Sequence, residues 1–206
     1  MNVVELDDAA VLLERAVAAP RRPQAPAGPG VTVWLTGLPS AGKSTIAEAL
    51  AERLRADGLR VEMLDGDAMR AQLSPNLGFS REARDKNVRR IGYVAELLAR
   101  NGVVVLAPVI APYAETRNQV RASHEKRGAR YLEIHVATPV DVCAERDVKG
   151  LYAKQAAGLI SGLTGRDDPY EVPKDPDLRI PAHRQSVGES VSILFEYLRS
   201  VGVGER

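Results

Sequence analysis

Eight consecutive residues, Gly37-Leu38-Pro39-Ser40-Ala41-Gly42-Lys43-Ser44, satisfy the pattern G-x-x-x-x-G-K-[ST] without a mismatch. Glycines at this spacing let successive backbone N–H groups turn inward around a phosphate. Lys43 adds a positive charge near the group in transfer, and Ser44 offers a hydroxyl to Mg²⁺. A glycine turn that binds nothing is the plain alternative, and the flanking sequence argues against it. Val31 to Thr36 is an apolar run of strand length, and Thr45 to Leu54 carries Ile46, Leu50 and Leu54 at helical spacing. Strand, glycine loop and helix together aim a helix N-terminus at an anion.

Two carboxylates, Asp65 and Asp67, flank Gly66 at the end of a second predicted strand, Arg60 to Leu64. Open α/β sheets hold their ligands at the carboxyl ends of strands. There the pair can hold a metal or accept a proton from an attacking hydroxyl; an Asp that merely caps the next helix is the alternative. The third predicted strand ends Leu106-Ala107-Pro108 with no acid, so metal or base duty falls to the pair. A cationic group follows: Arg70, Arg81, Arg84, Lys86, Arg89 and Arg90, with Phe79 and Asn87 among them. Guanidinium groups match phosphate and sulfate oxygens two at a time, which suits an anionic acceptor. On a helix, Arg84, Asn87 and Val88 share one face while Arg89 projects elsewhere, so only part of the cluster faces one pocket. Arg81 and Lys86 read as exterior residues paired with Glu82 and Asp85. Further on, Arg146 to Lys154 is followed by glycines at 158, 162 and 165 and by Asp167-Asp168-Pro169-Tyr170. Cations alternating with glycines, without periodicity, suit a mobile lid over about 147–170 that keeps water from the transferred group.

These groups need a frame to hold them. From Val31 onward strands and helices alternate. A helix is predicted over Arg81 to Asn101, with Val88, Ile91, Val94, Ala95 and Leu98 on one face. Then come a strand at Val103 to Val109, a helix at Ala114 to Arg127, a strand at Tyr131 to Val136 and a short helix at Val140 to Arg146. A last short strand includes Arg179-Ile180, and a helix closes the chain at Ser186 to Ser200. The pattern predicts an α/β domain, a parallel sheet with helices on both faces, over residues 31–206. Residues 1–30 read as an appendage: an amphipathic helix at Asp7 to Ala18, then a linker containing Pro20, Pro23, Pro26 and Pro29.

The 206 residues suit one well-buried domain. A formal charge of +1 gives no basis for a nucleic-acid or membrane-surface partner. The single cysteine, Cys143, excludes an intrachain disulfide and reads as a packed thiol. No apolar run reaches the length of a membrane span and no cleavable signal opens the chain, so a cytoplasmic protein is expected. His124, His135 and His183 are too scattered to suggest a metal site, and His135 reads as structural.

Six segments occur in one order: Leu64-Asp65-Gly66-Asp67, Leu77 to Ser80, Arg84 to Arg90, Ile110-Ala111-Pro112-Tyr113, Arg146 to Tyr152, and Thr164-Gly165 leading to Asp168-Pro169-Tyr170-Glu171. With the phosphate loop, they make the chain resemble the adenylylsulfate kinase (APS kinase) family from about Val31 to Ile180. The resemblance implies a P-loop NTPase fold. It also implies transfer of the ATP γ-phosphate to the ribose 3′-hydroxyl of adenosine 5′-phosphosulfate (APS), with Mg²⁺, giving 3′-phosphoadenosine 5′-phosphosulfate and ADP for sulfate assimilation. By that likeness Gly37, Ser40, Ala41, Gly42, Lys43, Ser44, Thr45 and Arg146 serve ATP. Lys43, Asp65 and Asp67 are catalytic, Ser44 and Asp65 serve the metal, and base duty is not apportioned between the two aspartates. The APS site is implied to include Asp65, Gly66, Asp67, Arg70, Phe79, Arg84 and Asn87, with Phe79 stacked on adenine. Ile110, Ala111, Lys149, Gly162 and Leu163 complete it. A homodimer, and association with a sulfate adenylyltransferase, are further expectations. Three positions depart from the family pattern. Some members carry a serine, assigned as a phosphorylated intermediate, where Ala111 stands; Ala111 offers no nucleophile, which leaves direct in-line transfer. Many have Phe at the position of Leu163, where it would give adenine a second stacking face, and Arg166 is often aliphatic. A related kinase with another anionic nucleotide or specialised metabolite as acceptor, or a non-catalytic nucleotide-binding subunit, are the alternative readings.

Overall fold

Every residue of the strand Val31–Thr36 (β1) is buried, so this strand must be covered on both faces. The computed structural model that shows this describes residues 30–204. The helix and proline-rich linker expected over residues 1–30 therefore lie, apart from Gly30, outside the described residues. In chain order β1 is followed by α1 (Lys43–Ala56), β2 (Val61–Met63), α2 (Gly66–Leu73), α3 (Arg81–Arg100) and β3 (Val104–Pro108). Then come α4 (Ala114–Lys126), β4 (Arg130–Val136), α5 (Val140–Arg146), α6 (Leu151–Ala156), β5 (Leu178–Ile180) and α7 (Val187–Ser200).

The five strands form one parallel sheet in the order β2-β3-β1-β4-β5. Side chains alternate across it, as the two-residue period of a strand requires. Val31, Val33 and Leu35 join Leu106, Leu132 and Ile134 on one face, under Ile46, Leu50 and Leu54 of α1 and Val191, Leu194 and Leu198 of α7. Trp34, Val105, Ala107 and Tyr131 face the other way, under Val88, Ile91 and Ala95 of α3 and Val120 of α4. A Cβ at Gly92 would lie 2.8 Å from the Val120 methyl groups, so only glycine fits where α3 crosses α4. The predicted layers are thus present, with element ends within two residues of expectation.

Two helices were not expected. In α2 no residue is buried, so no apolar period marks it; its signals are an N-cap Asp65 and good helix formers behind it. The other, α6, sits inside the segment read as an aperiodic lid. The Asp147 carboxylate accepts from the N–H groups of Tyr152 and Ala153, at 3.0 and 2.9 Å, across a turn in which Gly150 has φ 65°. No helix among the described residues is long and apolar enough to cross a membrane.

Candidate active site

The carboxyl ends of β1, β2 and β3 open onto a cleft of about 310 Å³. Its floor is the loop between β1 and α1. Gly42 (φ 100°) and Ser40 (φ 60°) turn that loop through the left-handed region, and no side chain caps α1. The first-turn amides of α1 are thereby free for an anion. Lys43 is 8% exposed, and its ammonium donates to the carbonyl oxygens of Gly37 (3.0 Å) and Leu38 (2.7 Å). Burial lowers the Lys43 pKa to about 8, against smaller opposing effects from Cys143, Asp67 and Asp65. Ser40, Ala41, Ser44, Thr45 and Arg146 also line the cleft. Arg146 donates to the Ala182 carbonyl (3.2 Å), while Gly37 takes part through its carbonyl rather than as lining.

Asp65 has two tasks. One carboxylate oxygen caps α2, accepting from Asp67 N–H (3.0 Å) and Ala68 N–H (3.2 Å). The other accepts from the Ser44 hydroxyl at 3.0 Å. The Asp65 carboxylate therefore caps α2 with one oxygen and is tied to the phosphate loop with the other. Ser44 and Asp65 together present hydroxyl and carboxylate oxygens at the loop, the donor type Mg²⁺ takes when phosphates and water supply its remaining ligands. Among the described residues no three His, Cys, Asp or Glu side chains gather as a metal cage. Asp67 is different: its side chain is 72% exposed and forms an ion pair with Lys149 across the cleft. That hydrogen bond raises the Lys149 pKa.

The wall opposite the loop is cationic and aromatic. Arg70 donates to the Leu77 (3.1 Å) and Gly78 carbonyl oxygens, and its guanidinium lies 4.3 Å from the Phe79 ring centroid. Phe79 is 67% exposed, an unusual position for a large apolar ring. Arg84 donates to the Phe79 carbonyl (2.8 Å), the Gly162 carbonyl (2.5 Å) and the Thr164 hydroxyl (3.1 Å). The Asn87 side chain is buried, and its amide oxygen has no hydrogen-bond partner. Gly66, Ile110 and Ala111 complete this wall.

Most of the sequence-derived site residues thus meet at one cleft; Gly162 and Leu163 do not line it. Leu163 is 6% exposed and belongs to the apolar cluster beneath α1 and α7. Its N–H and that of Gly162 are held by the Asp167 carboxylate at 2.6 and 2.8 Å. The segment expected to be a lid is built rather than featureless. Tyr152 donates its hydroxyl to the Pro39 carbonyl (3.2 Å), tying α6 to the phosphate loop. Sequence reading passed over Tyr113, whose hydroxyl donates to Asp168 at 3.2 Å. It also missed Thr36, which donates to the Ile110 carbonyl at 2.6 Å. Both are polar groups at strand or loop ends, and that position was the available signal. Of the histidines, His124 bridges Thr32 and the Val120 carbonyl inside the core. His135 is also buried, which lowers its pKa to about 4.

Comparison with known proteins bears on this geometry. The family model described as "Adenylylsulphate kinase" matches residues 29–181. The chain is 51% identical over 173 residues to the adenylyl-sulfate kinase of Synechococcus sp. (strain JA-3-3Ab), covering 84% of this chain and 96% of that one. The probable adenylyl-sulfate kinase of Pseudomonas aeruginosa is 49% identical over 167 residues, 81% of this chain and 76% of that one. Among solved structures, the APS kinase of Mycobacterium tuberculosis in complex with AMPPNP and APS superposes with a TM-score of 0.79 at 43% identity, covering 82% of this chain and 98% of that one. A phosphate loop, an aspartate pair and an Arg–Phe wall around one cleft, in a chain that this family model spans for most of its length, place it in the adenylylsulfate kinase family.

Proposed function

We propose that this chain transfers the γ-phosphate of ATP to the ribose 3′-hydroxyl of APS, yielding ADP and 3′-phosphoadenosine 5′-phosphosulfate. The observation that carries the reading is the convergence of an uncapped helix N-terminus, two aspartates and an Arg–Phe wall on one cleft. Phosphoryl transfer needs positioning and charge stabilisation more than covalent help from the protein. The amides of the Gly42–Thr45 turn hold the phosphates. Lys43 exchanges its two carbonyl partners for phosphate oxygens. Arg70 and Arg84 keep N–H donors for the phosphosulfate, and Phe79 supports the adenine. Asp67, solvent-facing and paired with Lys149, takes the 3′-hydroxyl proton as that oxygen bonds to phosphorus and the bond to the β,γ-bridging oxygen breaks. Ala111 supplies no nucleophile, so a single in-line displacement suffices. Ser44 and Asp65 would hold Mg²⁺, which when bound neutralises charge on the phosphates. A cytoplasmic homodimer is the setting we assign; light scattering would then give twice the 22.3 kDa chain mass.

The test is direct. Purified protein with ATP, Mg²⁺ and APS should release ADP and form the 3′-phosphorylated product in equal amounts. ADP release at the same rate without APS would identify an ATPase and end the proposal. An acceptor panel decides between APS and another anionic nucleotide.

Two expectations follow from single side chains. Phe79 is the one aromatic lining the cleft among the described residues, so Phe79→Ala should raise the KM for APS by about 5- to 150-fold, equivalent to roughly 1–3 kcal/mol of lost stacking. Its KM for ATP should stay put. The second concerns Lys43. Its folded pKa of about 8 lies below the usual 10.5. Between those values the folded chain binds fewer protons than the unfolded one, so stability of the unliganded protein rises with pH across that window. A bound triphosphate favours the charged ammonium and raises its pKa. Binding of AMPPNP at pH 8.5 is therefore expected to take up a fraction of a proton, with affinity falling as pH rises beyond 8. Calorimetry in two buffers of different ionisation enthalpy measures this; zero uptake would contradict it.

A further inference from the structure

Arg117 of α4 is 2% exposed, yet the cleft does not contain it. Its guanidinium touches three segments that are far apart in the chain. Nε donates to the Glu133 carboxylate of β4 at 2.7 Å, one terminal nitrogen to the Ala111 carbonyl at 2.8 Å, and the other to the Glu171 carbonyl at 2.7 Å. Ala111 lies on the acceptor wall and has φ 43°, a left-handed conformation that an alanine adopts only when its surroundings hold it there. Glu171 lies on the irregular strap between α6 and β5, just beyond the segment expected to be a lid. Its N–H donates to the Pro112 carbonyl (2.8 Å), and its carboxylate accepts from the Ala114 N–H (2.7 Å). One step back along the strap, the Tyr170 hydroxyl lies 3.0 Å from the Thr36 hydroxyl.

We propose that Arg117 is a positioning residue for the acceptor, locking the left-handed Ala111 backbone of the acceptor wall to the strap that returns from the lid. The proposal rests on the functional reading above for the identity of the acceptor, but its geometry does not. A planar guanidinium can serve three acceptors lying in different directions within one plane, whereas an ammonium on a shorter reach cannot hold all three. Glu133 supplies the counter-charge that lets the cation stay buried. Its second carboxylate oxygen is shared with Arg121, 3.6 Å away, which is itself bonded to Asp177 at 2.7 Å. The clamp is therefore anchored to the sheet and does not drift with the loops it joins. Set correctly, it fixes the backbone from which Ile110 and Ala111 line the acceptor wall; set loosely, it leaves the phosphate loop untouched.

Arg117→Lys separates these roles. It is expected to raise the KM for APS roughly tenfold or more, with the KM for ATP within about twofold of wild type. In the same variant, amide hydrogen exchange at Ala114 and Glu171 should quicken roughly tenfold while the amides of β1 and β3 keep their protection. An unchanged KM for APS, or exchange that quickens throughout the sheet, overturns the proposal. Wild-type protein provides a second measurement that holds even if the variant does not fold. APS added with ADP should slow exchange at Ala114 and Glu171 together, and protection of one without the other overturns the clamp. Should wild-type protein bind AMPPNP yet fail to phosphorylate APS, the functional reading falls, and exchange in Arg117→Lys alone decides whether loop and strap are locked.

Discussion

Lys43→Ala should lower kcat/KM for ATP by roughly a thousandfold, about 4 kcal/mol of transition-state stabilisation. The side chain is buried at the floor of the cleft, where low polarity strengthens its attraction to developing charge on the γ-phosphate. The fold should survive. Among the described residues Lys43 has no carboxylate in direct contact; its partners are the Gly37 and Leu38 carbonyl oxygens. Removing a buried cation also removes its desolvation cost. Circular dichroism melts should show Tm within a few degrees of wild type while coupled ADP-release assays show the loss. Retention of more than a tenth of wild-type turnover would remove Lys43 from the mechanism.

The aspartate pair should divide by stability as well as by rate. Asp65→Ala removes the cap of α2 and the acceptor of the Ser44 hydroxyl together. A lost cap costs about 1 kcal/mol, and we expect roughly a hundredfold or greater loss of kcat alongside a lower Tm. Asp67→Asn touches no cap of its own and replaces an exposed carboxylate by a group of the same shape. Its expected signature is a loss of about 10²–10⁴ in kcat with unchanged Tm, the span that general-base assistance contributes. A flat Tm in Asp65→Ala, or wild-type kcat in Asp67→Asn, would reverse the assignments drawn from Ser44 and Lys149.

Much of this site is written in local sequence. The run from Val31 through Leu54 declares strand, loop and helix because burial forces apolar residues into register and phosphate contact forces glycine into the turn. The helix from Arg81 is legible for the same reason: Val88, Ile91 and Ala95 all face the sheet. Legibility ends where partners are distant or burial is absent. The helix α2 buries nothing and so leaves no periodic trace. Leu163 enters the core through a fold-back held by Asp167, a contact invisible to spacing. Glu133 occupies a strand interior where an apolar residue is expected; its neutralising partner lies sixteen residues earlier, in α4. A charged residue in mid-strand is the one local sign that such a partner exists.

The phosphate loop springs from the middle of the sheet, since β1 is bonded to β3 on one side and β4 on the other. The segment over the cleft instead runs into β5, a three-residue strand at the margin, and the aspartates follow β2 at the opposite margin. Movement confined to the two margins would therefore open the way for cargo while leaving the central anvil, where phosphorus changes hands, in place.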